Sequence, residues 1–119
     1  MKTLILALIL MPSAAIAAGP FIDGNKLLSY CVPEEHPSYT SFKSGLCGGY
    51  VAGVMDADGI FAARVGKKRA VYRCAPNEMT VGQLAKVVYQ YLETNPELLH
   101  LSASSSVFRA IDEAFPCPD

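Results

Sequence analysis

The stretch Cys74-APNEMTVGQLAKVVYQYLETNPELLHLSASSSVFRAIDEAFP-Cys117 decides the fold, because it reads as two antiparallel helices with a cysteine at each outer end. Thr80 is a good N-cap. Gln83, three residues on, completes a capping box in which two orphaned backbone donors gain partners. Met79 and Leu84 occupy the hydrophobic-staple positions around that cap. Leu84, Val87, Val88, Tyr91 and Leu92 recur at helical spacing, while Gln83, Lys86, Gln90 and Glu93 fall on the other face. Asn95-Pro96 ends the helix, since the residue before a proline is driven out of the α region. Pro96 to Leu99 can then form a single helical turn. Ser102 is the expected cap of a last helix that carries Val107, Ala110, Ile111, Ala114 and Phe115 on one side and stops at Pro116.

At the N-terminus, Lys2, the apolar run Leu4–Met11 and the small-x-small motif Ala15-Ile16-Ala17 read as an export signal over residues 1–18. That run is too short for a permanent membrane span, and nothing later in the chain is longer. The expected mature chain, residues 19–119, is one small domain with nine basic and eleven acidic side chains. This balance gives no basis for nucleic acid or an anionic membrane as the main partner. Cys31, Cys47, Cys74 and Cys117 are an even set without zinc-site spacing or a Cys-x-x-Cys motif, so in an exported chain they read as two disulfides. Local geometry suggests Cys31 with Cys47 and Cys74 with Cys117. Pairing Cys31 with Cys74 and Cys47 with Cys117 would instead staple the two halves together, and spacing does not choose between these sets.

Residues 19–24 read as a loose arm, followed by a short helix capped by Asn25 and leading to Cys31. Val32-Pro33 and His36-Pro37 bracket a loop. A longer helix is expected over residues 39–58, with Leu46, Tyr50, Val54 and Ala57 on its apolar face and Gly59 as its stop. Gly45, Gly49, Gly53 and Ala57 stand four apart along it. Each glycine costs a helix about 1 kcal/mol relative to alanine, so the stripe predicts close approach of a neighbouring helix rather than a phosphate-cradling loop. Arg64, Lys67, Lys68, Arg69 and Arg73 form a basic run whose expected role is a solvated turn or small hairpin, the alternative being a docking patch for an acidic partner.

No catalytic constellation emerges. Cys47 with His100 or His36 would make a nucleophile pair, but disulfide pairing explains Cys47 better. The carboxylate pairs Glu34/Glu35, Asp56/Asp58 and Asp112/Glu113 are adjacent or two apart, so on a helix they diverge. Ser102, Ser104, Ser105 and Ser106 have no neighbouring base, and a helix start explains them. The expected fold is all-α: a small disulfide-stapled bundle of about four helices with a C-terminal hairpin. Its expected work is binding, with no enzyme activity, cofactor or metal.

The segment CGGYVAGVMDA (47–57), Cys74, Thr80-Val81-Gly82-Gln83, Val87-Val88, Tyr91-Leu92, Asn95-Pro96-Glu97, Leu99-His100, Ala103-Ser104 and Phe115-Pro116-Cys117 together resemble the Rap/Tai immunity proteins. The resemblance implies a small helical periplasmic inhibitor, usually a homodimer. It implies that the chain neutralises a peptidoglycan amidase effector delivered by type VI secretion, by plugging the cysteine–histidine cleft of that enzyme. The helical fold is also similar to that of periplasmic acid-stress chaperones, which is the alternative function. The expected contact surface is the exposed side of the first hairpin helix and the linker after it: Lys86, Tyr89, Gln90, Glu93, His100 and Ser102. Tyr89 stands out there, because interfaces are enriched in tyrosine.

Overall fold

A computed structural model describes residues 19–33, 37–66 and 74–118, with the backbone alone described for 37–41. Residues 1–18, read above as an export signal, Glu34, Glu35, His36 and the segment 67–73 with most of the basic run lie outside the described residues. Among the described residues four helices form one all-α bundle: α1 (Gly24–Cys31), α2 (Pro37–Arg64), α3 (Val81–Thr94) and α4 (Ala103–Ala114). A 3-10 turn, Pro96–Leu98, separates α3 from α4.

The C-terminal hairpin follows its sequence signals. The Thr80 side chain accepts from the Gln83 backbone N–H, and the Gln83 side chain accepts in return from the Thr80 N–H at 2.8 Å. Asn95 stands at the C-cap of α3, where its side-chain amide donates to the Tyr91 carbonyl. The Ser102 hydroxyl caps α4 by accepting from the Ser105 N–H. Val88, Tyr91 and Leu92 of α3 meet Ala103, Val107, Ala110 and Ile111 of α4 in one core, with Leu84, Val87 and Phe115 packed at its margin. Ala114, expected on the apolar side, is exposed in the last turn of α4.

Both local disulfides form. Cys31–Cys47 joins α1 to α2, and Cys74–Cys117 joins the two outer ends of the hairpin; the Cα separations of 5.0 and 5.2 Å suit the bond. All four cysteines are therefore used.

The N-terminal segment departs from the expected loose arm. From Ile22 onward it is tied to the linker after α3. The Ala103 N–H donates to the Ile22 carbonyl at 3.0 Å, Gly24 N–H donates to Leu101 O at 3.0 Å, and Asn25 N–H donates to Leu99 O at 3.1 Å. Asp23 and Ser102 form the bridge at the centre of this pairing. Asp23, not Asn25, caps α1: its carboxylate accepts from the Lys26 N–H at 2.9 Å. The Asn25 amide instead reaches the Leu99 carbonyl. The close approach requires glycine at 24, because a Cβ there would stand 2.9 Å from both the Cα and the carbonyl oxygen of Leu99. Leu27, one turn later, is then driven fully into the core.

The second departure is α2. It begins at Pro37 and runs through Gly59 to Arg64, because Gly59 keeps a helical backbone; Gly66, at φ +72°, supplies the left-handed stop. The residues expected to form a turn after 59 are thus helical as far as Arg64. The face buried most deeply is Cys47, Val51, Asp58 and Ala62, with Tyr50, Val54 and Met55 at its edge, whereas Ala57 is exposed. The glycine stripe does not receive a neighbouring helix. Among the described residues a Cβ at Gly45, Gly49 or Gly53 would meet nothing within 4 Å, and of the α2 glycines only Gly48 faces a neighbour, the Val81 side chain.

Two substitutions separate close packing from helix propensity. Gly24→Ala forces the Leu99 backbone away and lowers the unfolding free energy by about 1–3 kcal/mol. Gly59→Ala, with open space around it, raises the unfolding free energy by about 0.5–1 kcal/mol. Urea denaturation of the oxidised protein measures both, and the opposite signs are the expected result.

Candidate partner-binding surface

Five of the six side chains expected to meet a partner occupy three places. Lys86 and Tyr89 line a cleft of about 420 Å³ between the end of α1, the start of α2 and the start of α3. The Cys31–Cys47 bridge and Gly48 form part of its wall, Tyr30 and Pro33 one rim, and Lys43 another. Gln90 and Glu93 belong to a separate shallow depression shared with Val87, Thr94 and α4 residues Ala110 and Glu113. His100 borders an opening with Phe21, Asp23, Asn25 and Lys26.

Ser102 is of a different kind. It is half-buried, and its hydroxyl oxygen caps α4 while lying 2.7 Å from the Ser105 hydroxyl. Its work is to start the helix and pair with Asp23 through the backbone. His100 is exposed to solvent.

The linker that carries His100 is anchored from two directions. Within it, Leu98 N–H donates to Asn95 O and Leu101 N–H to Leu98 O, each at 3.0 Å; from outside, residues 22–25 hold Leu99, Leu101 and Ala103. A linker so bonded loses little further entropy on binding. It exposes Pro96, Glu97 and His100 at its tip. Beside it stands Phe21, whose ring is entirely exposed, one residue before the pairing begins. Sequence reading passed over Phe21 as part of an arm. The signal available was an aromatic residue just ahead of the Asp23 cap.

Two tyrosines are perturbed. The Tyr89 hydroxyl donates to Glu93 Oε1 at 2.7 Å, and this bond to a carboxylate holds its pKa above the ordinary 10.0, helped by desolvation and the Glu93 charge. Burial pushes Tyr50 upward as well, partly offset by hydrogen bonding with Ser104 across the α2–α4 contact. Among the described residues no group of three or more His, Cys, Asp or Glu side chains could hold a metal ion. Cys47 is oxidised with Cys31, which removes it as a nucleophile in this state. Asp56 is exposed and Asp58 buried, so that carboxylate pair diverges.

A family model described as Rap1a immunity proteins matches residues 23–117. The chain belongs to the Rap1a immunity protein family. The match begins at Asp23, the residue that caps α1 and pairs with Ser102, and ends at Cys117, the last member of the hairpin disulfide. It therefore spans the whole tied bundle. Comparison with curated proteins gave no match, and neither did comparison with solved structures. Membership implies an immunity protein that binds a cognate effector without itself performing a reaction. The paired cysteines agree with an oxidising compartment. Among the described residues no helix is long and apolar enough to cross a membrane.

The raised tyrosines set an alkaline limit. Because the folded state holds these phenolic protons more tightly than the unfolded chain, their contribution is complete below pH 10.0 and is lost as pH rises through the raised values. Ultraviolet titration of the native protein is expected to show two phenols ionising late, and Tyr89→Phe removes one of them.

Proposed function

We propose that this protein is a periplasmic immunity protein that binds a peptidoglycan amidase effector delivered by type VI secretion and occludes its active-site cleft. The observation that carries this reading is the Rap1a family match over residues 23–117. The export signal read in residues 1–18 and the oxidised cysteines support the periplasm as its place of action. The resemblance to the Rap/Tai proteins supports the amidase as target and a homodimer as the working form.

The contact surface is built around the fastened linker and the side chains flanking it. His100 and Phe21 project beside one another, and an exposed aromatic on a rigid mount is well suited to fill a concave site. Lys86 and Tyr89 offer a second contact along α3, with Tyr89 already oriented by Glu93. Obstruction of a cleft needs shape and rigidity more than chemistry. The two disulfides and the paired backbone segments supply both.

The test is titration calorimetry of the mature, oxidised protein against each hydrolase encoded beside its gene, together with assay of peptidoglycan peptide cleavage. Tight equimolar binding and loss of cleavage are expected. Phe21→Ala and His100→Glu are expected to weaken binding at least about tenfold without altering the helical circular dichroism. Absence of binding to any neighbouring or co-encoded hydrolase overturns the reading.

A further inference from the structure

Helix α2 has two unlike sides. One is buried through Cys47, Val51, Asp58 and Ala62. On the opposite side, at helical spacing, stand Phe42, Gly45, Gly49, Gly53 and Ile60, with the exposed Asp56 one turn after Gly53 on the same side. Phe42 is 73% exposed and Ile60 61%, and the three glycines between them face open space. Each glycine costs this helix about 1 kcal/mol of propensity, and among the described residues no neighbour packs against the bare backbone to offset that cost. Large apolar side chains at both ends with bare backbone in the middle form a saddle, into which a second helix fits at short interaxial distance.

The pattern also specifies what fits it. Phe42 and Ile60 lie nine residues on either side of Val51, Gly45 and Ala57 six, and Gly49 and Gly53 two. The face is therefore its own complement when one copy is reversed against another, as a two-fold interface demands. Eighteen residues are five full turns, so Phe42 and Ile60 project in the same direction. Asp56 lies opposite Leu46 in this arrangement, about 15 Å from its own counterpart, and no like charges are forced together. Antiparallel helices also set opposite dipole ends side by side. With about 200 Å² for a fully exposed phenylalanine, Phe42 and the flanking Phe61 (66% exposed) offer roughly 560 Å² over both copies. Ile60 and the bare glycine backbone bring the total, with every exposed apolar atom of the face and its flank covered, to at most the order of 1,000 Å², about the lower bound for a specific interface.

We propose that two copies dock antiparallel through this face of α2, with Gly49 and Gly53 at the crossing and Phe42 of each protomer against Ile60 of the other. The proposal rests on the homodimer in the reading above and assigns its interface. Phe42, Gly49, Gly53 and Ile60 line neither the Lys86 cleft nor the His100 opening, so self-docking and effector contact use different residues.

Sedimentation equilibrium of the mature, oxidised protein from about 1 to 200 µM tests it. A dimer is expected for the native sequence. Gly49→Leu is expected to weaken it at least about tenfold with undiminished helical signal, since a Cβ at this position meets nothing within 4 Å. Phe42→Glu and Ile60→Lys are each expected to weaken the dimer similarly, and the two together to recover much of the loss, because positions 42 and 60 meet across the two-fold axis. A native dimer indifferent to Gly49→Leu and Phe42→Glu overturns this face while leaving the homodimer standing. A double variant no tighter than the single ones overturns the register. A native protein that stays monomeric throughout overturns both the face and the homodimer, and the effector titration then stands on its own result.

Discussion

Three backbone hydrogen bonds between residues 22–25 and 99–103 hold the arrangement together, and they exist because position 24 has no side chain. Buried backbone groups need partners, and an irregular linker between two helices has few of its own. Here the linker obtains them from the segment that precedes α1. The same contact sets Asp23 at the start of α1 and Ser102 at the start of α4, so two helix caps are positioned by one pairing. Leu27 is carried into the core as a consequence. The bundle is closed by two internal segments whose bonded residues are 74 or more positions apart in sequence.

Two disulfides reinforce the closure at other points. Cys31–Cys47 fixes α1 on α2, and Cys74–Cys117 shuts the open end of the hairpin. A small domain buries a limited apolar surface, and cross-links compensate by restricting the unfolded chain. The paired linker and the disulfides lie on the elements that present His100, Phe21, Lys86 and Tyr89. Rigidity is thus concentrated beneath the surface on which binding by obstruction depends.

The hairpin was legible in the sequence almost residue by residue. Thr80 and Gln83, Asn95-Pro96, and Ser102 are local signals, satisfied by atoms within four residues, and the one-sided apolar patterns of α3 and α4 leave a single face to bury. Helix α2 was not legible in the same way. Its apolar and small residues are spread around the whole circumference, so periodicity does not select the inward side, and the stripe read as internal packing faces outward. Gly59 illustrates the limit: a glycine permits a left-handed stop but does not impose one, and the stop falls at Gly66. Of the surface, Lys86, Tyr89, Gln90 and Glu93 were identifiable as the outer side of α3. Their division between two separate depressions depends on where α1 and α4 pack.

By itself the sequence determined the helical class, the boundaries of the hairpin, the pairing of all cysteines into disulfides and the resemblance to an immunity family. All of these rest on short-range chemistry or on motif order, which require no knowledge of distant neighbours. Only the tertiary structure decided which two disulfides form, that Asp23 caps α1, that Phe21 stands beside His100, and which side of α2 is left open. Those outcomes depend on groups far apart along the chain meeting at distances of about 3 Å, and the decisive contact, Gly24 against Leu99, leaves no periodic trace.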